Sequence, residues 1–145
     1  MNRERFLVKS FGDNIEGTKV GLVKLIQLLD TCDHAVIVVP AIGEVKDTML
    51  VDVLGEDVSK ALIKNREITF LGNKKISLCA QATLKNYKYA DAYLALWGSE
   101  YTIADIEALH QWKAAVLVTW QPNDSAKWEA DRKSTRLNSS HVSQS

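Results

Sequence analysis

Ala35-Val36-Ile37-Val38-Val39 is an unbroken apolar, largely β-branched run halted by Pro40. A strand that is apolar on both faces must be covered on both. That happens in the middle of a parallel sheet with helices above and below, so this one run constrains the architecture more than any other segment.

The neighbouring segments supply the cover. Phe6-Leu7-Val8 opens a short strand that ends near Ser10. Leu22, Leu25, Ile26 and Leu29 recur at the spacing of one helical face, the stripe expected of a helix lying on a sheet. Asp47 to Ile63 is helical in pattern, with Gly55 dividing it and Asp57 placed to cap the second piece. Ile68-Thr69-Phe70-Leu71 and Ile76-Ser77-Leu78-Cys79 flank Gly72-Asn73-Lys74-Lys75. Gly and Asn tolerate positive φ, which predicts a β-hairpin there.

Thr83 to Tyr89 reads as a short helix, and Ala92-Tyr93-Leu94-Ala95-Leu96-Trp97 and Ala115-Val116-Leu117-Val118-Thr119-Trp120 as two more strands. Between those strands a helix is expected from Ile103 to Lys113, opened by Thr102 and Asp105 at capping-box spacing. The alternation of strands and helices predicts a Rossmann-like three-layer α/β sandwich with a mostly parallel sheet and one hairpin.

Composition agrees with one ordinary globular domain: 46% hydrophobic and 25% charged residues. Cys32 and Cys79 lie far apart in unrelated settings, as buried small hydrophobes do. His34 and His110 have no neighbours that suggest a metal site or a triad, so no metal is expected. The first residues lack a signal peptide's apolar core, and no apolar run approaches the ~20 residues of a bilayer span. The expected compartment is therefore the cytoplasm.

The C-terminal segment stands apart. Asp131 to His141 matches, in one reading frame, a translation of the adapter ligated to fragments in short-read sequencing, where GAT-CGG-AAG-AGC-ACA spells Asp131 to Thr135. Residues 1–130 are accordingly expected to form one α/β domain, the N-terminal part of a longer protein. Residues 131–145 are expected to be irregular and to make almost no contact with it. Excluding that segment leaves 15 basic and 17 acidic residues, a net charge of −2. Such a balance gives no electrostatic drive toward nucleic acid.

A site is expected beyond the carboxyl ends of the strands. Gly12, Asp13 and Asn14 follow the first strand and Gly43 and Glu44 the second. Trp97, Gly98, Ser99 and Glu100 follow the next, and Trp120 and Gln121 the last. Small and turn-forming residues there suit a phosphate- or sugar-binding rim, and two strand-end indoles suit stacking on a flat ring. Helix capping and sheet covering use the same residue types.

Gly12 to Lys19 approximates the phosphate loop Gly-x-x-x-x-Gly-Lys-Ser/Thr, but Thr18 and Lys19 are transposed and two acids sit within it. Transposition turns each group about 100° around the helix, which argues against a triphosphatase. Gly-x-Gly-x-x-Gly is absent as well, so no particular cofactor is implied.

Three functions remain open. The first is a small-molecule-binding domain for a nucleotide or nucleotide-derived ligand. The second is a structural or regulatory module docking onto the remaining C-terminal region of the same protein. The third is a nucleotide or N-glycoside hydrolase using a rim carboxylate, Asp13, Glu44, Glu100 or Asp124.

Overall fold

The computed structural model describes residues 4–9, 15–41, 47–70, 72–98, 100–109, 111–119 and 134–137. The chain runs β1 (Glu4–Val8), α1 (Ile15–Leu28), β2 (His34–Val39), α2 (Asp47–Leu54), α3 (Glu56–Asn65), β3 (Glu67–Phe70) and β4 (Lys74–Ala80). A 3-10 helix (Gln81–Tyr87), β5 (Ala92–Gly98), α4 (Glu100–Glu107), β6 (Ala114–Thr119) and β7 (Ser134–Leu137) complete it. One sheet holds all seven strands in the order β3-β4-β2-β5-β6-β1-β7. Every pairing is parallel except that of β3 with β4. The expected Rossmann-like sandwich is the observed one.

Strand residues alternate between two cores, as the pleat requires. Phe6, Val8, Ile37, Val39, Leu94 and Val116 face α1, α2 and α3, while Leu7, Val36, Val38, Tyr93, Ala95 and Leu117 face the 3-10 helix and α4. The α1 stripe performs as its spacing requires: Leu22, Leu25 and Leu29 are fully buried and Ile26 partly so. Each such leucine contributes about 1.5–3 kcal/mol of hydrophobic stabilisation. Cys32 and Cys79 are free thiols, both buried. Among the described residues, no helix is long and apolar enough to cross a membrane.

Four local expectations are corrected. Gly55, not Asp57, is the N-cap of α3, and no side chain caps it; a break at glycine lets the helix restart one residue later than α2 ends. The short helix after β4 begins at Gln81 and is 3-10 throughout. The helix after β5 spans Glu100–Glu107, not Ile103 to Lys113, and Thr102 lies inside it. The Thr102 hydroxyl donates to Gln81 Oε1 at 2.9 Å, so a tertiary partner has taken the group that a capping box would use.

The fourth correction concerns the C-terminal segment. Ser134–Leu137 pairs in parallel with Arg5–Val8, so these residues do contact the domain. Beyond β6, β1 still presents a row of N–H and C=O groups, and backbone pairing satisfies them with little regard to side chains. Side-chain patterns are therefore silent about it, and the pairing carries no information about the origin of the segment.

At the amino edge, His34 Nε2 lies 2.9 Å from Ser77 Oγ, which donates onward to Glu67 Oε1 at 3.4 Å. Burial, then the Lys75 ammonium, hold the imidazole below its ordinary pKa, with Glu67 and Asp91 pulling the other way. The unfolded chain therefore binds this proton more readily than the folded one. Stability from this group is complete above about pH 6.5 and declines as the pH falls through and below that value. Thermal unfolding between pH 7 and 5 is expected to show a shallower decline in a His34→Gln variant than in wild type. Equal slopes would remove His34 as the source.

Candidate ligand-binding site

The chain leaves the carboxyl end of β2 toward α2, whose Leu50 and Leu54 lie in the α1-side core. From β4 and β5, the two neighbours of β2, it leaves toward the 3-10 helix and α4, whose Leu84, Ile103 and Ile106 lie in the opposite core. Adjacent strands whose connections part to opposite faces open a crevice at their carboxyl ends, and here it falls beside Val39-Pro40.

On the α4 side a cleft of about 620 Å³ lies between the 3-10 helix and α4, lined by Pro40, Gln81, Leu84, Lys85, Asp105 and Leu109 among others. Pockets for small molecules commonly measure about 300–1,000 Å³. Two of its polar groups are joined to each other. Gln81 Nε2 donates to Asp105 Oδ2 at 3.2 Å while Gln81 Oε1 accepts from Thr102. A carboxylate only accepts, so it dictates which end of the amide faces it.

Below the cleft, the buried Tyr93 hydroxyl donates to the Tyr87 carbonyl and accepts from the Ala90 N–H at 3.4 Å, pinning the end of the 3-10 helix. Burial pushes that phenol up to about 12, so it stays a neutral donor. On the far side of α4, Arg5 grips Glu107 with two bonds of 2.7 and 2.8 Å and lies over the Trp112 ring. Both cleft walls are thus tied to the sheet.

Of the rim residues expected from the sequence, only Trp97, Gly98 and the backbone of Glu100 fall among the described residues. Gly12, Asp13, Asn14, Gly43, Glu44, Ser99, Trp120 and Gln121 lie outside them, as do Asp124 and His110.

Trp97 is not the open ring that stacking requires. Strand alternation places Tyr93, Ala95 and then residue 97 on the α4 side. A register irregularity between Leu96 and Gly98, with Trp97 at φ 57, breaks that alternation. The extra residue turns the indole into the α1-side core, where it is 3% exposed and its Nε1 donates to Thr18 Oγ1 at 3.2 Å.

Thr18 is itself fully buried. The hydroxyl of the phosphate-loop-like segment thus accepts the Trp97 indole N–H inside the α1-side core. Among the described residues no group of His, Cys, Asp and Glu side chains is placed to hold a metal ion.

Gln81 and Lys85, which line the cleft, were not singled out from the sequence, and Asp105 was taken for a cap. The available signal was polar spacing: Gln81 and Lys85 lie four residues apart.

Fold and cleft together define a Rossmann-like α/β domain with a crevice at its strand switch point. No protein-family model and no curated protein sequence matches the chain. Among solved structures, the chain is similar to the large terminase from a thermophilic bacteriophage, with a TM-score of 0.53 and 10% identity. The match covers 94% of this chain and 40% of the terminase chain. The chain thus spans well under half the length of that protein, and a likeness at this identity establishes the fold alone.

Proposed function

We propose that this chain is a small-molecule-binding domain whose ligand is a nucleotide or a nucleotide-derived molecule, held at the carboxyl edge of the sheet. The cleft carries the reading: it lies at the switch point and offers an apolar floor at Leu84. Its walls bear a fixed amide (Gln81), a carboxylate (Asp105) and a cation (Lys85). A carboxylate and an amide suit sugar hydroxyls, and an ammonium suits phosphate. Gly12–Asn14, Gly43–Glu44, Gly98–Glu100 and Trp120–Gln121, which follow the strands in sequence, stay in the proposal as its outer border. Trp97 does not.

Isothermal titration with adenosine and guanosine mono-, di- and triphosphates and with NAD tests the reading. At least one is expected to bind with Kd between about 1 μM and 1 mM, and to lose that binding in a Lys85→Glu, Asp105→Asn double variant. Silence of every nucleotide at 1 mM, or binding indifferent to those changes, refutes it.

The burial of Trp97 favours a second reading, a structural or regulatory module without a ligand, because it removes the one described indole that could have served a flat ring. Its partner is further polypeptide of the same protein, and silence in the titrations favours it.

A further inference from the structure

The hydrogen bonds at the same cleft restrict its ligand further, a step that rests on the nucleotide reading. Thr102, Gln81 and Asp105 form one directed chain. The buried Thr102 hydroxyl donates to Gln81 Oε1 at 2.9 Å, and Gln81 Nε2 donates to Asp105 Oδ2 at 3.2 Å. A hydroxyl has a single proton and a carboxylate has none, so each bond in the chain fixes the direction of the next.

What the chain leaves over defines the complementary ligand group. A carboxylate accepts at about four positions. Among the described residues Gln81 takes one of those at Asp105. The Gln81 amide keeps a second N–H, so one donor stands beside several acceptors. A fitting group must donate more than once and accept as well, which adjacent hydroxyls do. Phosphate offers only acceptors and negative charge, and the same carboxylate repels it; the cation of the cleft is Lys85. Ala82 and Ala108, the lining residues next to Gln81 and one turn after Asp105, project no further than a methyl group.

We propose that the cleft selects ribonucleotides over 2′-deoxyribonucleotides, with Asp105 accepting hydrogen bonds from the 2′- and 3′-hydroxyls. Thr102 acts through Gln81 as a positioning residue. Its bond decides which end of the amide meets the carboxylate, and so keeps a donor beside it. A 2′-deoxyribose lacks one hydroxyl of the pair and leaves that acceptor of Asp105 to water. Asp105 is exposed, so the difference is one charge-assisted hydrogen bond exchanged for a bond to solvent.

Titrations with AMP, GMP, ATP and GTP, each against its 2′-deoxy counterpart, test this in wild type, Asp105→Asn, Thr102→Val and Thr102→Ser. Circular dichroism verifies that the variants fold. For each pair that binds wild type, the ribonucleotide is expected to bind about tenfold more tightly. Asp105→Asn should weaken the ribonucleotide and bring the ratio within about twofold, because the amide replaces acceptors with a donor. Thr102→Val frees the Gln81 amide to turn and should lower the ratio to about threefold or less, while Thr102→Ser keeps the hydroxyl and the preference. General destabilisation of the fold would not move this ratio.

Equal binding of both members of every pair that binds wild type overturns the selection and leaves the nucleotide reading standing. A preference that survives Asp105→Asn overturns the role of Asp105, and one that survives Thr102→Val overturns the positioning role of Thr102. If no pair binds wild type, the selection fails; if the diphosphates and NAD are silent as well, the nucleotide reading fails with it.

Discussion

Trp97→Ala is expected to lower the free energy of unfolding by about 3–5 kcal/mol, the usual cost of truncating a large buried aromatic. The indole is 3% exposed and sits in the core that α1, α2 and α3 share with the sheet. Its ring N–H donates to the buried Thr18 hydroxyl, a contact between residues 79 apart in sequence that ties α1 to the end of β5. Alanine removes the packing and the hydrogen bond together. It keeps the positive φ of 57, a conformation that costs a residue other than glycine of order 1 kcal/mol or more.

Trp97→Phe separates the two losses, since it retains most of the apolar contact and forfeits only the N–H donor; its cost should lie near 1–2 kcal/mol. Equilibrium urea unfolding reads both variants. A Trp97→Ala cost below about 1 kcal/mol would mean that the indole is not a core residue. Stacking at the rim would then regain its strongest candidate.

Gly21→Ala should destabilise the protein by about 1–3 kcal/mol, against its helix propensity. In an exposed helix interior the same change stabilises by about 1 kcal/mol. Here α1 crosses the sheet so closely that a Cβ on Gly21 would lie 2.5 Å from Val118 Cγ2 and 3.1 Å from Leu94 Cδ1. The closer neighbour cannot turn aside cheaply, because β-branching restricts Val118 to few χ1 rotamers. Gly21→Leu adds three more carbons to a space that does not admit one, so a larger loss is expected. Denaturant midpoints for the two variants decide the matter. A Gly21→Ala protein more stable than wild type would show that the helix has room to lift.

Local pattern reached far into the fold. The apolar run through Val36 and Ile37 required cover on both faces, and β2 lies between β4 and β5 with helices on each side. The Leu22, Leu25 and Leu29 spacing found the buried face of α1, and Gly72-Asn73 found the single antiparallel pair. These succeed because side-chain period follows directly from backbone conformation. The candidate site was less legible. A cleft does open near the carboxyl edge among the described residues, yet the groups lining it were either read as helix caps or passed over.

What the chain determines by itself is which segments extend, which coil and which face of each is apolar, because those depend on neighbours a few residues away. Tertiary structure decided the rest. A one-residue irregularity at Trp97 turned an expected ligand platform into core, and its counterpart Thr18 lies on another element altogether. Thr102 and Asp105 left their capping roles for Gln81, 21 and 24 residues away. The strand order and the pairing of β7 with β1 rest on backbone groups that every residue carries alike. Such outcomes depend on which distant partner arrives to satisfy a hydrogen bond or fill a volume, and no local periodicity encodes that.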